Sequence, residues 1–232
     1  MPEEAWGRSM AYFPLVGLLI GGLLWAGSRV FGLLWPPGVV AGLVLVEWVA
    51  LTGALHLDGF IDCCDGLLAA KPPDERLQIL RDVHAGSFGV VGAVLLLLVK
   101  YAALTALLGG RQLHVILAAL LLAPAFSRWA MVYLTVIFPY GRPGASLGRM
   151  FAAHVSRSSL MWASVTAAAL AFIIGGWVGG VGLAVVWGGA ALAARWVRAR
   201  IPGLTGDVYG AVNELVEVGV LLAAVALAQA RI

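Results

Sequence analysis

The 232-residue chain is 62% hydrophobic and 12% charged, and that charged share is about half of what an ordinary globular domain carries. A soluble domain of this size has too little interior to bury so much apolar surface, so a soluble fold is excluded. The formal net charge of +3 is too small to indicate a nucleic-acid partner.

Apolar segments along the chain are candidates for membrane-spanning helices, each of which needs roughly 20 mostly apolar residues. They are predicted at residues 11–34, 38–57, 87–108, 113–138, 159–174, 177–197 and 210–230. The glycine-rich stretch at 175–180 is either a turn or a close-packed part of one longer element. The pattern predicts an all-α polytopic membrane bundle of about seven helices, folded as a single domain over residues 1–232.

Basic residues are distributed unequally between the two ends of these spans. If the N-terminus is cytoplasmic, ten lysines and arginines lie on the cytoplasmic side, and only Arg29, Arg111 and Arg231 lie on the other side. Basic residues concentrate in cytoplasmic loops. We therefore predict a multi-pass protein of the cytoplasmic (inner) membrane, with its N-terminus and its functional site facing the cytoplasm.

The stretch LHLDGFIDCCDG, residues 55–66, places three aspartates at the end of the second span. Asp58, Asp62 and Asp65 are spaced i, i+4, i+7, so they fall within about 60° on one helix face. They have apolar neighbours and no lysine or arginine one turn away. Their mutual repulsion favours a bound divalent cation over a solvated helix end. All-oxygen ligands favour Mg²⁺ or Mn²⁺.

Glu47 would share this face if the helix ran on without a break. It would then lie about 16 Å upstream, where it could line the same cavity.

A second acidic cluster occupies GLTGDVYGAVNELVEVGVLLA, residues 203–223. Asp207, Gly210, Glu214 and Glu217 fall within about 80° on one helix face. Asp207 alone could be a helix cap, but both glutamates enter an apolar span. Under the predicted topology both clusters lie on one side of the membrane. We interpret them as two walls of one cavity, with Gly210 as a point of close approach.

Between the clusters, KPPDERLQILRDVHAGSFG reads as a short interfacial helix and a turn. Asp74 can cap this helix, which would carry Leu77, Leu80 and Val83. Asp82 is a candidate for metal binding and catalysis, and an ion pair with Arg81 is the alternative.

Lys100 and Arg128 are basic residues inside predicted spans, where a charge needs a partner. The partner is either a buried glutamate or an anionic substrate. Arg142, in the loop after the fourth span, belongs to a basic cytoplasmic patch. A carboxylate-held metal beside cations at a membrane surface is typical of phosphoryl chemistry.

The segments that carry this chemistry resemble one enzyme family in an ordered and specific combination. They are TGALHLDGFIDCCDGL, RDVHAGSFG, Lys100-Tyr101, Ser127-Arg128 and GLTGDVYGAVNELVE. Together, from about Phe13 to the C-terminus, they resemble cobalamin synthase, the adenosylcobinamide-GDP ribazoletransferase family. One departure is that the family often has Ser-Arg where this chain has Val83-His84. The resemblance then implies that His84 or Arg81 replaces an arginine near the phosphates.

The resemblance implies a Mg²⁺-dependent transfer at a bilayer surface. The hydroxyl of α-ribazole, or of its 5′-phosphate, attacks the phosphate on adenosylcobinamide-GDP, and GMP leaves. The predicted site residues fall into three groups. Metal ligands are Glu47, Asp58, Asp62, Asp65 and Asp82; catalytic residues are Asp82, Asp207, Glu214 and Glu217; substrate-binding residues are Arg81, His84, Lys100, Ser127, Arg128 and Arg142. The sequence leaves open whether the chain forms a homo-oligomer or a complex with other late cobalamin-pathway enzymes.

Two alternatives from other classes are weighed against this function. A CDP-alcohol phosphotransferase that makes phospholipid also uses aspartates on adjacent helices, but its later paired aspartates are missing here. A cation-coupled transporter would favour acidic groups at the bilayer midplane and internal repeats, whereas the two acidic clusters lie at helix ends and no repeat is visible.

Overall fold

The computed structural model describes residues 4–142, 144 and 146–230. Arg231, which entered the count of basic residues, lies outside them. All named elements in the described part are helical. They are α1 (Glu4–Ser9), a 3-10 turn (Met10–Tyr12), α2 (Phe13–Phe31), α3 (Pro37–Thr52), α4 (Leu55–Leu68), α5 (Pro73–Ile79), α6 (Ser87–Leu108), α7 (Leu113–Ile137), α8 (Leu147–His154), α9 (Arg157–Arg198) and α10 (Gly206–Gln229).

The predicted polytopic helical bundle is confirmed. Five helical segments are long and apolar enough to cross a membrane, and α3 with α4 makes a sixth if this bent pair is one span. The five are Ala5–Phe31, α6, α7, α9 and α10. Six of the seven predicted spans coincide with a helix or with one half of α9, and the span at 38–57 covers α3 and the start of α4.

Helix α9 reverses direction at Gly176, so its 42 residues make two antiparallel halves. Gly176 has φ 58° and ψ −145°, a conformation that essentially only glycine adopts. Gly179 approaches the backbone of Ala171, although residues eight apart in a straight helix are separated by about 12 Å. The glycine-rich stretch is therefore a turn, and the predicted spans 159–174 and 177–197 are its two arms.

The continuous helix assumed for the second span is wrong, because α3 and α4 are bent by 90° at Gly53 and Ala54. Both residues are left-handed, with φ 58° and 57°. Their amide groups donate to the carbonyls of Ala50 and Val49 and so close the end of α3. The bend takes Glu47 off the face that carries the aspartates of α4.

Glycines bring neighbouring helices into backbone contact, as between α2 and α7 and between α4 and α10. Gly17 of α2 lies on the backbone of Pro124 in α7, and Gly59 of α4 lies on the backbone of Asp207 in α10. Gly210 lies on the backbone of His56, so the close approach predicted at Gly210 is confirmed, and the approaching element is α4. Such contacts are the usual role of glycine between helices in lipid.

The short helices differ in detail from the prediction. Helix α5 begins after Pro72, not with a side-chain cap from Asp74, and it ends at Ile79. Leu80 is buried, but Val83 is 92% exposed and lies beyond the helix. Helix α8 was not predicted. Ser146 caps it by accepting a hydrogen bond from the backbone N–H of Arg149 at 3.3 Å.

Candidate active site

The two acidic clusters meet where α4 lies across the start of α10, at one end of the bundle. We call this the acidic end. The carboxylates of Asp58, Asp65 and Asp207 all act electrostatically on Asp62, and so does the guanidinium of Arg142. The prediction that the clusters form two walls of one site therefore agrees with the geometry at Asp58, Asp62 and Asp207.

Arg142 reaches Asp207 because two loops pair with each other. The amide of Gly141 donates to the carbonyl of Leu204 at 2.8 Å, and the amide of Leu204 donates to Pro139 at 2.9 Å. This pairing holds the loop after α7 against the loop before α10. Nη1 of Arg142 then lies 3.2 Å from Oδ2 of Asp207. Both side chains are partly exposed, so a ligand can reach them.

The alternative in which Asp207 caps α10 is wrong. The cap is Thr205, whose Oγ1 accepts a hydrogen bond from the backbone N–H of Val208 at 3.4 Å. The same hydroxyl donates to Oδ2 of Asp207 at 3.1 Å. Since Asp207 does not serve its own helix end, its carboxylate is oriented by Thr205 and Arg142 toward the space beside α4.

Asp65 has a different environment from the other aspartates on its face. One of its oxygens accepts the amide of Gly86 at 2.7 Å, and the other accepts the amide of Gly89 at 2.8 Å. These amides belong to the first turn of α6, whose N-terminus has no partner from its own flanking side chain. Asp65 thus caps α6 from a neighbouring helix, a role that the i, i+7 spacing did not indicate.

Glu214 and Glu217 belong to a buried charge network with Lys100 and Arg128. Nζ of Lys100 lies 3.0 Å from Oε2 of Glu214 and 2.5 Å from Oε2 of Glu217. Arg128 pairs with the other oxygen of Glu217, which also receives Ser127 at 3.3 Å and Asn213 at 3.1 Å. Of the two partners that the sequence allowed for Lys100 and Arg128, the described residues supply the buried glutamates.

A cavity of about 430 Å³ extends from Asp207 and Arg142 into the bundle. Its walls come from α1, the 3-10 turn, α2, the end of α3, α4, α7, the loop before α8, α8 and α10. Most of the lining is apolar, with Phe13, Val16, Ile20 and Met131 among the contributors. The polar groups in it include His56, Arg128, Arg142 and Asp207. The cavity therefore has an apolar wall and a charged end.

Of the predicted site residues, only Arg128, Arg142 and Asp207 line this cavity. Four others lie in different surroundings, on α3 or in the turn before α6. Glu47 packs against Gly27 of α2, and its Oε2 is buried without a partner among the described residues. Asp82 and His84 are exposed in the turn before α6. The His84 ring lies 2.8 Å from Oδ1 of Asp82 and its backbone N–H lies 3.0 Å away, and these hydrogen bonds hold the pKa of Asp82 below its ordinary value. Arg81 is in the same exposed turn.

The metal prediction stays a prediction. Within residues 4–142, 144 and 146–230, no three His, Cys, Asp or Glu side chains converge as a metal cage. Mg²⁺ seldom needs such a cage, because it is usually held by one or two carboxylates, by substrate phosphates and by water. Asp58 and Asp62 fit that requirement, since both carboxylates are accessible and lie one turn apart.

Sequence reasoning missed His56, Thr205 and Asn213. His56 lines the cavity at the start of α4, and Asn213 donates to Glu217 from one turn away. Both could have been found from the sequence, because each is a polar residue in an apolar run. His56 lies two residues before Asp58, and Asn213 lies four residues before Glu217. Thr205 could have been predicted as the cap of α10, because threonine is a preferred N-cap residue. The nearby Asp207, also a preferred type, was considered instead.

Comparisons with known proteins agree over most of the chain. A family model described as cobalamin-5-phosphate synthase matches residues 1–225. A Roseiflexus sp. (strain RS-1) protein named adenosylcobinamide-GDP ribazoletransferase is 41% identical over 218 residues, covering 94% of this chain and 79% of the relative. Proteins of the same name from Pseudomonas putida (strain KT2440) and Desulfitobacterium hafniense (strain Y51) are 42% and 36% identical, covering 95% and 96% of this chain and 88% and 87% of the relatives.

No solved structure gives a significant match. The family model and the curated relatives all cover far more than half of the chain, and this agrees with the resemblance seen in its motifs. The chain therefore belongs to the cobalamin-5-phosphate synthase family.

Proposed function

We propose that this transferase joins adenosylcobinamide-GDP to α-ribazole or α-ribazole 5′-phosphate. A hydroxyl oxygen of the ribazole forms a new bond to the phosphate on adenosylcobinamide, the bond between the two phosphates breaks, and GMP leaves. The hydroxyl proton is released, and the product is adenosylcobalamin or its 5′-phosphate. The names of the curated relatives support this reaction, and they do not support a phospholipid synthase or a transporter.

The observation that carries the proposal is the mixed character of the cavity at the acidic end. Its apolar wall suits a large amphipathic corrinoid, and Arg142 and Asp207 at its charged end suit a diphosphate and a hydroxyl. At about 430 Å³ the cavity holds a group of drug-like size at most. The diphosphate segment would therefore enter, and the corrin ring would stay at the mouth near the bilayer.

Arg142 is the arginine best able to contact the substrate phosphates. Its partner is Asp207, at 3.2 Å, and both are partly exposed. Arg128 also lines the cavity, but Glu217 already balances its charge and its side chain is 4% exposed. We assign Arg142 to the diphosphate and Asp207 to the hydrogen bond that orients the attacking hydroxyl. Lys100, Glu214 and Glu217 would support these groups without touching the substrate.

Asp58 and Asp62 would hold Mg²⁺ together with the substrate phosphates. When bound, the ion neutralises charge that develops on the phosphate oxygens. The fit rests on the chemistry of the donor set: Asp62 is surrounded by Asp58, Asp65 and Asp207 and receives counter-charge from Arg142. An excess of carboxylates of this kind needs a cation. The acidic end would face the cytoplasm, because the basic residues concentrate at the same end.

The proposal is tested by incubating the purified chain with adenosylcobinamide-GDP and α-ribazole, with and without Mg²⁺, and measuring GMP release. We expect Mg²⁺-dependent release, and we expect Asp62→Asn to raise the Mg²⁺ requirement by about 10- to 100-fold. Asp74→Asn, on the exposed helix α5, is the matched control and should behave as wild type. Absence of GMP release contradicts the reaction, and an unchanged Mg²⁺ requirement in Asp62→Asn contradicts the metal assignment.

A further inference from the structure

A second cleft, of about 390 Å³, opens at the end of the bundle opposite the acidic end. It lies between the turn that joins α2 to α3 and the turn that joins α6 to α7. Arg29, Trp35, Pro37, Arg111 and Leu113 are among the residues that line it. None of these residues belongs to the cavity of the proposed reaction, so the cleft is a separate feature of the molecule.

The cleft is positively charged without a visible counter-charge. Arg29 and Arg111 are both exposed. No acidic side chain lies at this end of the described residues: the nearest along α3 is Glu47, which is ten positions after Pro37 and so about 15 Å into the bundle. Helices α3 and α7 both begin here, and neither has a side-chain cap. Backbone carbonyls of Pro36 and Gln112 accept several of their first amides, but the dipoles of both helices still add to the positive potential.

Exposed apolar side chains flank the same cleft. Val30, Leu33 and Leu34, around Arg29, are 60%, 81% and 74% exposed. Trp35 lines the cleft and is partly exposed, which is typical of tryptophan at the boundary between acyl chains and headgroups. A phosphate ion would contact only the two arginines. The headgroup of a phospholipid would contact the arginines, and its acyl chains would contact the exposed leucines.

We propose that this cleft binds the phosphate of an anionic phospholipid. Arg29 and Arg111 would hold the phosphate oxygens, and the acyl chains would run down the apolar surface beside α2. An anionic lipid fits better than a zwitterionic one, because the described part of this end offers no carboxylate to an ammonium group. The site does not depend on the proposed reaction at the acidic end.

The test measures lipid binding to the full chain in detergent by native mass spectrometry. The probes are phosphatidylglycerol, phosphatidylcholine and inorganic phosphate. We expect phosphatidylglycerol to bind more tightly than phosphatidylcholine, and inorganic phosphate to compete poorly. Arg29→Gln combined with Arg111→Gln should weaken phosphatidylglycerol binding by about 30-fold, since two arginines near the headgroup are lost.

The matched control combines Arg195→Gln with Arg198→Gln, two exposed arginines at the acidic end. It removes the same charge and should leave the tight phosphatidylglycerol site intact. Thermal unfolding of both double variants in detergent, at the wild-type temperature, verifies that they are folded. The proposal is overturned if the two double variants lose binding equally, if phosphatidylcholine binds as tightly as phosphatidylglycerol, or if inorganic phosphate displaces the lipid.

Discussion

Replacing Lys100 with methionine should destabilise the bundle, and adding Glu214→Gln should restore much of the loss. In the native protein two buried cations face two buried carboxylates: Lys100 pairs with Glu214 and Glu217, and Arg128 pairs with Glu217. Lys100→Met leaves both carboxylates with one cation, and Glu214 loses its partner. The second change removes that orphaned charge and leaves the balanced pair of Glu217 and Arg128.

The magnitude follows from burial. Lys100 is 2% exposed and Glu217 is fully buried, and breaking such a pair by removing one partner costs about 3–5 kcal/mol. For a chain of this size, each kcal/mol lowers the melting temperature by about 2–4 °C. Lys100→Met should therefore lower it by roughly 6–20 °C. The double variant should recover at least half of that fall.

The assay is thermal unfolding of the purified variants in detergent, read beside GMP release per folded molecule. Lys71 and Glu75 provide the control, since they form the same kind of pair at 3.1 Å but are about half exposed. Lys71→Met should cost under about 1 kcal/mol. The reasoning is refuted if the double variant melts no higher than Lys100→Met. If Glu214→Gln keeps its melting temperature but loses GMP release, this glutamate acts in the reaction.

Three further outcomes are expected. Asp65→Asn should lower stability by about 0.5–2 kcal/mol through the weakened cap of α6 and leave the Mg²⁺ requirement unchanged; a raised requirement with normal melting would identify a metal ligand. Gly59→Ala should lower the free energy of unfolding by about 1–3 kcal/mol, because the new methyl group forces α4 away from α10. Gly22→Ala is the control and should have no such effect, because nothing lies within 4 Å of its Cβ position. Equal melting temperatures for the two variants would contradict the close contact. Single cysteines at Pro73 and Pro202, in a cysteine-free background, should resist an impermeant thiol reagent in intact cells; ready labelling of either would reverse the orientation.

Periodicity predicted the helices well because apolar length is a local property. The bend at Gly53 and Ala54 was missed because the apolar run continues through it, and one glycine in a membrane helix is usually tolerated. Glu47 shares the aspartate face only in a continuous helix, and the bend removes that condition. The turn at Gly176 remained one of two alternatives, since the same glycines suit a turn and close helix packing alike. The non-helical backbone of Gly176 and the contact between Gly179 and Ala171 distinguish them.

Sequence spacing predicted which residues share a helix face, but it did not predict the partner that each side chain contacts. Asp58, Asp62 and Asp65 do lie on one helix, yet Asp65 turns to the amides of α6, which follow it by 21 and 24 positions. Lys100 meets glutamates 114 and 117 positions away. The need of a buried charge for a partner is readable from sequence, but the identity of that partner depends on how the helices pack.

The balance of charge supports the proposal that the reaction takes place at the acidic end. In the middle of the bundle two cations offset two carboxylates, so these groups have little left to offer a ligand. At the acidic end Asp58, Asp65 and Asp207 all act on Asp62, and the guanidinium of Arg142 that pairs with Asp207 offsets only part of this acidic group. A diphosphate brought to this point would be repelled unless a divalent cation came with it. The same excess of acid would then make the binding of metal and substrate mutually dependent.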